Sequence, residues 1–185
     1  MSEQRTVVWL NGPFGGGKTT LAKELSRRWP DAVIFDPEVV GATVQRLVET
    51  PTGDYQDLPV WRELVAAMTI RMLGEYERPL IVPMTLVVPE YLREIHAAIR
   101  AAGARLHHVF LKTPAEVLEA RIDAQSFTPD DPAADEETRV WRRAQIERCA
   151  AAVDLLPGDT VLLDGVLPTA ELAGQVLELV GAPVR

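Results

Sequence analysis

The sequence has 185 residues, of which 47% are hydrophobic and 25% are charged, so it is long enough for one domain with a sizeable core but short for two. We therefore expect a single domain that spans residues 1–185. The formal net charge of -8 argues against a nucleic acid or an anionic membrane surface as the main partner, because both of these are themselves negatively charged.

Short apolar segments alternate with segments of helical period along the chain. The predicted strands are Thr6–Leu10, Ala32–Phe35, Leu80–Met84, Leu106–Leu111 and Thr160–Leu163. The predicted helices are Lys18–Trp29, Glu38–Glu49, Leu58–Tyr76, Pro89–Ala102, Pro114–Ala124, Glu137–Ala152 and Thr169–Val180. Most strand segments are continuously apolar, which is typical of strands covered on both faces. The alternation predicts an α/β fold with a mainly parallel sheet.

A glycine-rich segment follows the first predicted strand and opens the first predicted helix. Residues 12–19, GPFGGGKT, match the P-loop pattern G-x-x-x-x-G-K-[ST] in the structural context that the pattern requires. Glycines allow successive backbone N–H groups to turn inward around a phosphate, and the helix adds its positive N-terminal end. We expect Lys18 to bridge the β- and γ-phosphates and the Thr19 hydroxyl to bind Mg²⁺. The remaining residues expected to contact the nucleotide are Gly12, Phe14, Gly15, Gly16, Gly17 and Thr20.

ATP is the expected nucleotide. The sequence has no N-K-x-D segment of the kind that reads guanine, and this favours ATP over GTP. No Asp or Glu ends the third predicted strand, where many P-loop hydrolases place a carboxylate that positions the metal. The GTPase and motor-ATPase interpretations are therefore weakened.

Asp36 ends the second predicted strand and precedes Pro37 and Glu38. Ligands of open α/β sheets bind at the carboxyl ends of the strands, so this carboxylate is placed to accept a proton from a substrate hydroxyl or to orient a metal-bound water. Asp-Pro-Glu is also a good helix start, and a capping role is the alternative.

Arginines flank the acidic, proline-rich segment 126–136, which we expect to be an exposed and mobile loop. Arg121 precedes it, and Arg139, Arg142 and Arg143 follow it. Guanidinium groups carried by a flexible lid can neutralise the charge on a transferring phosphoryl group. We expect a lid at about residues 121–148, with Arg121 and Arg142 as its catalytic arginines.

A segment rich in aromatic and charged residues lies before and within the third predicted helix. Its apolar members Tyr55 and Trp61 are candidates for the walls of an acceptor pocket, and Asp57 or Arg62 for binding the polar groups of the acceptor. The alternative is a capped helix with Trp61 in the core.

Six segments between Asn11 and Cys149 resemble the tunicamycin-resistance ATP-binding proteins. They read NGPFGGGKT, FDPEVVG, DYQDLPVWR, IVPMTLVVPEY, HH and WRRAQIERC. The resemblance implies a three-layer P-loop NTPase fold of the nucleoside/nucleotide-kinase type, with a central parallel sheet of about five strands, helices on both faces and a helical lid. It also implies that Asp36 acts near the acceptor hydroxyl and that the adenine lies between Arg121 and the loop at Asp164.

The sequence predicts a cytoplasmic protein without stable membrane insertion. The polar segment Met1–Arg5 does not fit an export signal, the single cysteine excludes an internal disulfide, and no apolar run reaches the length of a membrane span. A trait of the resembled family is membrane association through a C-terminal amphipathic helix. Here Thr169–Val180 carries Glu171 and Glu178 but no lysine, so we expect this helix to pack on the sheet.

The expected activity is ATP- and Mg²⁺-dependent phosphoryl transfer to a hydroxyl of a small molecule, namely tunicamycin or another nucleoside-type compound. Such catalysis consists mainly of positioning and charge stabilisation, here by Lys18, Asp36, Arg121 and Arg142. Two alternatives stay open at this point. One is an ATP-dependent protein that sequesters the drug without modifying it, and the other is a housekeeping nucleoside or nucleotide kinase. The sequence does not indicate the oligomeric state.

Overall fold

The computed structural model describes residues 5–182. The strands are β1 (Thr6–Asn11), β2 (Val33–Ile34), β3 (Leu80–Pro83), β4 (Arg105–Lys112) and β5 (Val161–Asp164). The helices are α1 (Lys18–Arg28), α2 (Pro37–Leu47), α3 (Pro59–Tyr76), α4 (Pro89–Ala101), α5 (Ala115–Asp123), α6 (Pro132–Ala144), α7 (Ile146–Ala151) and α8 (Thr169–Val180). Two 3₁₀ turns lie at Tyr55–Asp57 and Ala152–Leu155.

The five strands form one parallel sheet in the order β2-β3-β1-β4-β5. This confirms the predicted parallel α/β architecture. The edge strand β2 is shorter than the predicted segment, because only Val33 and Ile34 pair in register with β3. The neighbouring Phe35 still donates its N–H to the Ile81 carbonyl at 2.9 Å, so the chain stays against the sheet up to the start of α2.

Side chains of β1 alternate between two apolar clusters, one on each face of the sheet. Val7 and Trp9 belong to the cluster that contains residues of α2, α3 and α4. Val8 and Leu10 belong to the cluster formed with α1 and α8. Because successive side chains of a strand point to opposite faces, a strand buried on both sides needs apolar residues at successive positions, and Val7 to Leu10 of β1 meet this requirement.

The lid region is more regular than the sequence predicts. In place of a mobile loop over the whole of segment 126–136, α6 already begins at Pro132, with the Asp131 side chain accepting hydrogen bonds from the N–H groups of Ala133 and Ala134. An aspartate followed by proline at the first helical position is a favourable helix start, and this signal outweighs the loop-like composition. The predicted helix 137–152 is also interrupted at Gln145, which separates α6 from α7.

A buried carboxylate explains why the segment before α6 has a defined conformation. Asp135 accepts hydrogen bonds from the N–H groups of Phe127 and Thr128 and from the Ser126 hydroxyl, and it also pairs with Arg139. The backbone N–H groups of Thr128 and Phe127 hold the pKa of Asp135 below its usual value. The segment therefore turns around one charged acceptor.

The C-terminal helix α8 packs on the sheet, as the sequence predicts. Its residues Leu172, Ala173, Val176 and Leu177 are buried in the cluster shared with α1. Among residues 5–182, no helix combines the length and the apolar character needed to cross a membrane.

Two buried histidines lie beside β1 on its α4 side. The ring of His96 packs edge-on against Trp9 and against His108, with centroid distances of 4.9 Å and 5.0 Å. Burial lowers the pKa of His96 to about 2 and that of His108 to about 4. Both side chains are therefore neutral in the folded protein at any pH near 7.

Acidification should destabilise the fold through these histidines. The unfolded chain binds their protons near pH 6.5 while the folded chain does not, so stability is lost as the pH falls below about 6.5, by up to about 1.4 kcal/mol per pH unit for each histidine. Urea unfolding between pH 7 and pH 5, above the range in which carboxylates titrate, measures this slope. His96→Phe removes one titrating ring and should reduce the slope without abolishing it, because burial also lowers the pKa of His107 and of His108. An unchanged slope would contradict this account.

Candidate active site

The P-loop connects β1 to α1 and curls around the amine of Lys18. Lys18 Nζ donates to the carbonyl oxygens of Gly12 at 3.0 Å and Pro13 at 2.8 Å. Burial lowers the pKa of Lys18 to about 8. The amine thus has neutral acceptors and, among residues 5–182, no carboxylate in contact, which leaves its charge available to an anion.

Glycine is required at two positions of this loop for different reasons. A Cβ on Gly16 would lie 2.9 Å from the Pro13 carbonyl oxygen, so a side chain there would clash with backbone. Gly17 has φ of +93° directly before α1, a conformation that residues with side chains rarely adopt. The first turn of α1 contains no acidic residue and exposes Thr19 and Thr20, so the positive end of the helix is open to a ligand.

Asn11, the last residue of β1, fixes the base of the P-loop. Its side-chain oxygen accepts the N–H groups of Gly12 at 2.8 Å and Leu86 at 3.0 Å, and its amide nitrogen donates to the Leu86 carbonyl at 2.7 Å. The Thr85 hydroxyl donates to the Gly12 carbonyl at 2.8 Å. Neither supporting residue is predicted from the sequence, although a polar residue ending a buried strand is the signal that could have indicated Asn11.

Carboxylates and cations line one small cavity above the P-loop. It has a volume of about 130 Å³. The side chains at its wall include Lys18, Thr19, Asp36 and Arg142, all of which the sequence predicts as site residues. The other residues of the wall are Phe14, Gly15, Gly17, Thr20, Glu38, Pro83 and Gln125. Glu38 is not among the predicted site residues, and its position two residues after Asp36 at a helix start is the signal that points to it.

Asp36 caps a helix and also lines the cavity, and its role towards a substrate stays a prediction. One of its oxygens caps α2 by accepting the N–H of Glu38 at 2.9 Å. The carboxylate also lies at the wall of the cavity, opposite the first turn of α1. Capping therefore holds the side chain in place and leaves the second oxygen available to a ligand.

The lid arginines fall into two groups. Arg139 pairs with Asp135 and Glu136, and Arg143 pairs with Asp123 and Glu136, so both stabilise the α5–α6 segment itself. The guanidinium of Arg142 instead stacks over the rings of Phe127 and Phe14, at 3.9 Å and 5.3 Å from their centroids. Within residues 5–182 it has no hydrogen-bonded acceptor, and burial lowers its pKa. Arg142 is thus the lid arginine whose charge faces the P-loop.

Arg121 and Asp164 both belong to the region at the carboxyl end of β5, but they have different partners. Arg121 donates to the Gly165 carbonyl at 3.0 Å, which ties α5 to the loop after β5. The Asp164 side chain accepts the N–H of Val166 at 3.1 Å. Neither lines the cavity at the P-loop, so their predicted contact with the adenine stays a prediction.

The predicted acceptor segment mostly braces the helices around the site. Trp61 has 0% exposure and donates its indole N–H to the Pro37 carbonyl at 3.2 Å, so the alternative of a core residue is the correct one and the predicted pocket wall is wrong for this residue. Arg62 is buried and donates to Glu94 at 2.7 Å and to the Gln56 carbonyl at 2.7 Å. Asp57 accepts the hydroxyl of Tyr91 at 2.9 Å.

Tyr55 is the member of this segment whose hydroxyl is influenced by the charges of Asp36 and Glu38. Its ring packs against Trp61 and so closely against Gly41 that a Cβ on that glycine would lie 2.7 Å from it. Burial, then the charges of Glu38, Asp54 and Asp36, raise the pKa of the Tyr55 hydroxyl above its usual value. The Tyr55 hydroxyl is therefore neutral near pH 7, and it lies within the electrostatic influence of Asp36 and Glu38.

The part of the chain that contains these residues matches a known family of domains. A model of the AAA domain (AAA_33) matches residues 7–149, which is most of the chain. The chain belongs to this AAA domain family. A search of curated proteins finds no match.

Solved structures extend the similarity to nearly the whole chain. The tunicamycin resistance protein of Deinococcus radiodurans is 26% identical, with a TM-score of 0.76 and 97% of each chain covered. This confirms the resemblance found in the sequence. An unliganded sugar kinase from Janibacter sp. HTCC2649 is 19% identical, with a TM-score of 0.64 and coverage of 97% of this chain and 95% of that one.

The same fold occurs in a kinase solved with a nucleotide analogue. The APS kinase of Mycobacterium tuberculosis, in complex with AMPPNP and APS, is 17% identical, with a TM-score of 0.64 and coverage of 97% of this chain and 99% of that one. Together with the parallel sheet, these matches establish a P-loop kinase-like fold for this AAA_33 member.

Nucleotide binding should take up protons at alkaline pH. With a pKa of about 8 the Lys18 amine is half protonated at pH 8, and a bound triphosphate raises that pKa because it favours the charged form. We expect uptake of up to about half a proton per site at pH 8 and an affinity that falls as the pH rises above 8.

Calorimetric titration of the protein with the nucleotide in buffers of different ionisation enthalpy measures this uptake. Lys18→Ala is the control, and it should bind more weakly and without proton uptake. If the proton uptake were unchanged in that variant, the assignment of Lys18 as the titrating group would be wrong.

Proposed function

We propose that this chain is an ATP- and Mg²⁺-dependent phosphotransferase that acts on a hydroxyl of a small molecule, with tunicamycin as the first candidate acceptor. The observation that carries the proposal is the joint placement of Lys18, Asp36 and Arg142 around one cavity at the P-loop. Two cations and a carboxylate there match the needs of phosphoryl transfer, in which charge must be neutralised and a hydroxyl oriented. The kinase-like fold supports the same class of reaction.

Lys18 and Arg142 act on the transferring phosphoryl group from two sides. Lys18 exchanges its bonds to the Gly12 and Pro13 carbonyls for phosphate oxygens, and the N–H groups of the loop complete the cradle. Arg142 approaches from α6, where stacking on Phe127 and Phe14 orients its guanidinium. Both charges lie in a partly buried site, in which they stabilise developing negative charge more strongly than they would in water.

The residues at the cavity fit a magnesium ion bound together with the nucleotide. Thr19 supplies a hydroxyl at the start of α1, and Asp36 and Glu38 supply carboxylates on the same cavity. These are the hard oxygen donors that Mg²⁺ takes, usually one or two from protein with phosphates and waters completing the shell. When bound, the ion neutralises charge on the β- and γ-phosphates.

Asp36 orients the acceptor hydroxyl and takes up its proton. Its capping bond to the Glu38 N–H holds the carboxylate toward the cavity, so little reorganisation is needed when substrate binds. The neutral Tyr55 hydroxyl and Glu38 are the neighbouring groups for further polar atoms of the acceptor.

The environment of Arg62 supports an acceptor without a phosphate group of its own. A nucleotide kinase must bind the phosphate of its second substrate, and Arg62 is the arginine of the predicted acceptor segment. It is engaged with Glu94 and Gln56 and lies over the ring of Tyr91, 4.2 Å from the centroid. Its charge is thus already compensated, which favours a neutral acceptor over a nucleotide.

Asp36→Asn should abolish phosphorylation of the acceptor while nucleotide binding persists. The substitution keeps an oxygen that can cap α2 but removes the proton-accepting charge. Mass spectrometry of tunicamycin incubated with protein, ATP and Mg²⁺ provides the measurement, and a phosphate-sized gain in mass is expected with the wild type only. Asp131→Asn is the matched control, because Asp131 likewise caps a helix that begins with proline but does not line the cavity, and this variant should retain turnover.

A different outcome of the same experiment identifies the sequestering alternative. If ATP binds but tunicamycin gains no mass, and resistance of cells survives Asp36→Asn, the chain protects by binding the drug. If tunicamycin neither binds nor gains mass, its assignment as the acceptor is wrong. A panel of nucleosides then tests separately whether the chain is a phosphotransferase.

Arg142→Gln should lower kcat by about 10²–10³-fold, as expected for removal of one donor to developing charge, with a smaller change in KM for ATP. Arg143→Gln is the matched control one residue further along α6, because its partners are Asp123 and Glu136 and not the cavity. Steady-state kinetics of both variants test whether the guanidinium of Arg142 contributes to kcat. Equal losses in kcat would indicate that both substitutions act by disturbing the structure of α6, and the catalytic role proposed for Arg142 would be wrong.

A further inference from the structure

A second cavity lies beside the carboxyl ends of β4 and β5, and it shares no residue with the cavity at the P-loop. Its volume is about 460 Å³. Most of its wall is apolar, and its residues come from β4, β5, the start of α5, and α7 with the turn after it. The wall includes Pro13, Phe110, Lys112, Ala150, Leu162 and Asp164.

The cavity lies on the face of β4 and β5 that is opposite to α1 and α8. Leu111 of β4 and Leu163 of β5 pack mainly into the cluster that contains those two helices. Phe110 and Leu162, one position earlier on each strand, therefore point to the other face, and both line the cavity. Arg121, Lys18 and Asp36 do not line it.

The elements around the cavity on this face are short, namely α7, the turn Ala152–Leu155 and the start of α5. Leu162 is consequently 48% exposed although it lies in a strand of the central sheet. An apolar concavity of several hundred Å³ is the usual form of a small-molecule site.

The mouth of the cavity carries one unpaired cation. Lys112 and Asp164 are register partners at the ends of β4 and β5. The Asp164 side chain already accepts the N–H of Val166, whereas the side chain of Lys112 has no hydrogen-bond or ion-pair partner within residues 5–182. An anionic group at the mouth would therefore find a partner in Lys112, and an apolar body would cover the exposed side chain of Leu162.

We propose that this cavity binds a small amphipathic carboxylate, with its apolar body inside and its anionic end at Lys112. A water molecule occupies about 30 Å³ of liquid, so the cavity has room for about a dozen or slightly more non-hydrogen atoms. A medium-chain fatty acid or an aryl carboxylate meets this requirement. The cavity shares no residue with the one at the P-loop and touches the P-loop through Pro13, while Asp164, the predicted neighbour of the adenine, lies at its mouth.

Decanoate, kept below its micelle-forming concentration, is the probe. Isothermal titration should show saturable binding of one molecule per chain, and saturation with ADP and Mg²⁺ should change its affinity by less than about twofold, because nucleotide and probe occupy different cavities. Competition by ADP would overturn the proposal, since the cavity would then be part of the nucleotide site. Absence of saturable binding would overturn it as well.

Variants locate the probe within the cavity. Lys112→Gln should weaken binding by about two- to fivefold, the effect of one exposed ion pair, while Lys23→Gln on α1 should leave it unchanged. Ala150→Trp and, from the opposite wall, Ala115→Trp fill the cavity and should each reduce binding at least tenfold. Unfolding midpoints near that of the wild type show that these variants fold. If the two filled variants bind decanoate as the wild type does, the proposal is wrong.

Discussion

The burial of β1 on both faces is the constraint on which the site depends. Val7 to Leu10 have 0% exposure, and neighbouring strands pair with β1 on both of its edges. The strand therefore has one register and one height in the sheet, because any slip would move apolar side chains out of both clusters. Asn11 transmits this fixed position to the P-loop through its bond to the Gly12 N–H and to the β3–α4 connection through its bonds with Leu86.

Charge is divided between structural and ligand-facing groups. Arg139 and Arg143 are neutralised within the lid by Asp135, Glu136 and Asp123, so their charges stabilise the segment that carries them. Lys18 and Arg142 face backbone carbonyls and aromatic rings instead. Burial disfavours both charges, as their lowered pKa values indicate, and an incoming polyphosphate relieves that cost. Lys18 and Arg142 have no carboxylate partner among residues 5–182, and this lack of a counter-charge contributes to the affinity of the folded chain for anions.

The sequence is sufficient to predict the sheet and the P-loop because both are encoded locally. Continuous apolar runs such as Thr6–Leu10 and the pattern at residues 12–19 need no knowledge of distant contacts. The lid is harder to predict. Asp135 lies among prolines and acids that are typical of a loop, and its burial depends on backbone N–H groups of Phe127 and Thr128 whose approach cannot be read from composition.

The choice among arginines shows the same limit. The sequence alone does not show which of Arg139, Arg142 and Arg143 faces the P-loop. The groups that each of them contacts in the structure distinguish them. Trp61 illustrates the reverse case, because a large aromatic residue beside charged ones fits a pocket wall and a core position equally well. Its packing with α2, where the indole meets the Pro37 carbonyl, decides between the two.

The position of Trp141 makes the approach of the lid to the P-loop directly visible. Of the four tryptophans, Trp9, Trp29 and Trp61 are buried, whereas Trp141 is 49% exposed on α6 and meets Phe14 edge-on at a centroid distance of 5.0 Å. A soluble quencher such as iodide reaches mainly this one indole. Intrinsic fluorescence therefore serves as a label-free gauge of the gap between α6 and the phosphate loop, without any dye or engineered cysteine.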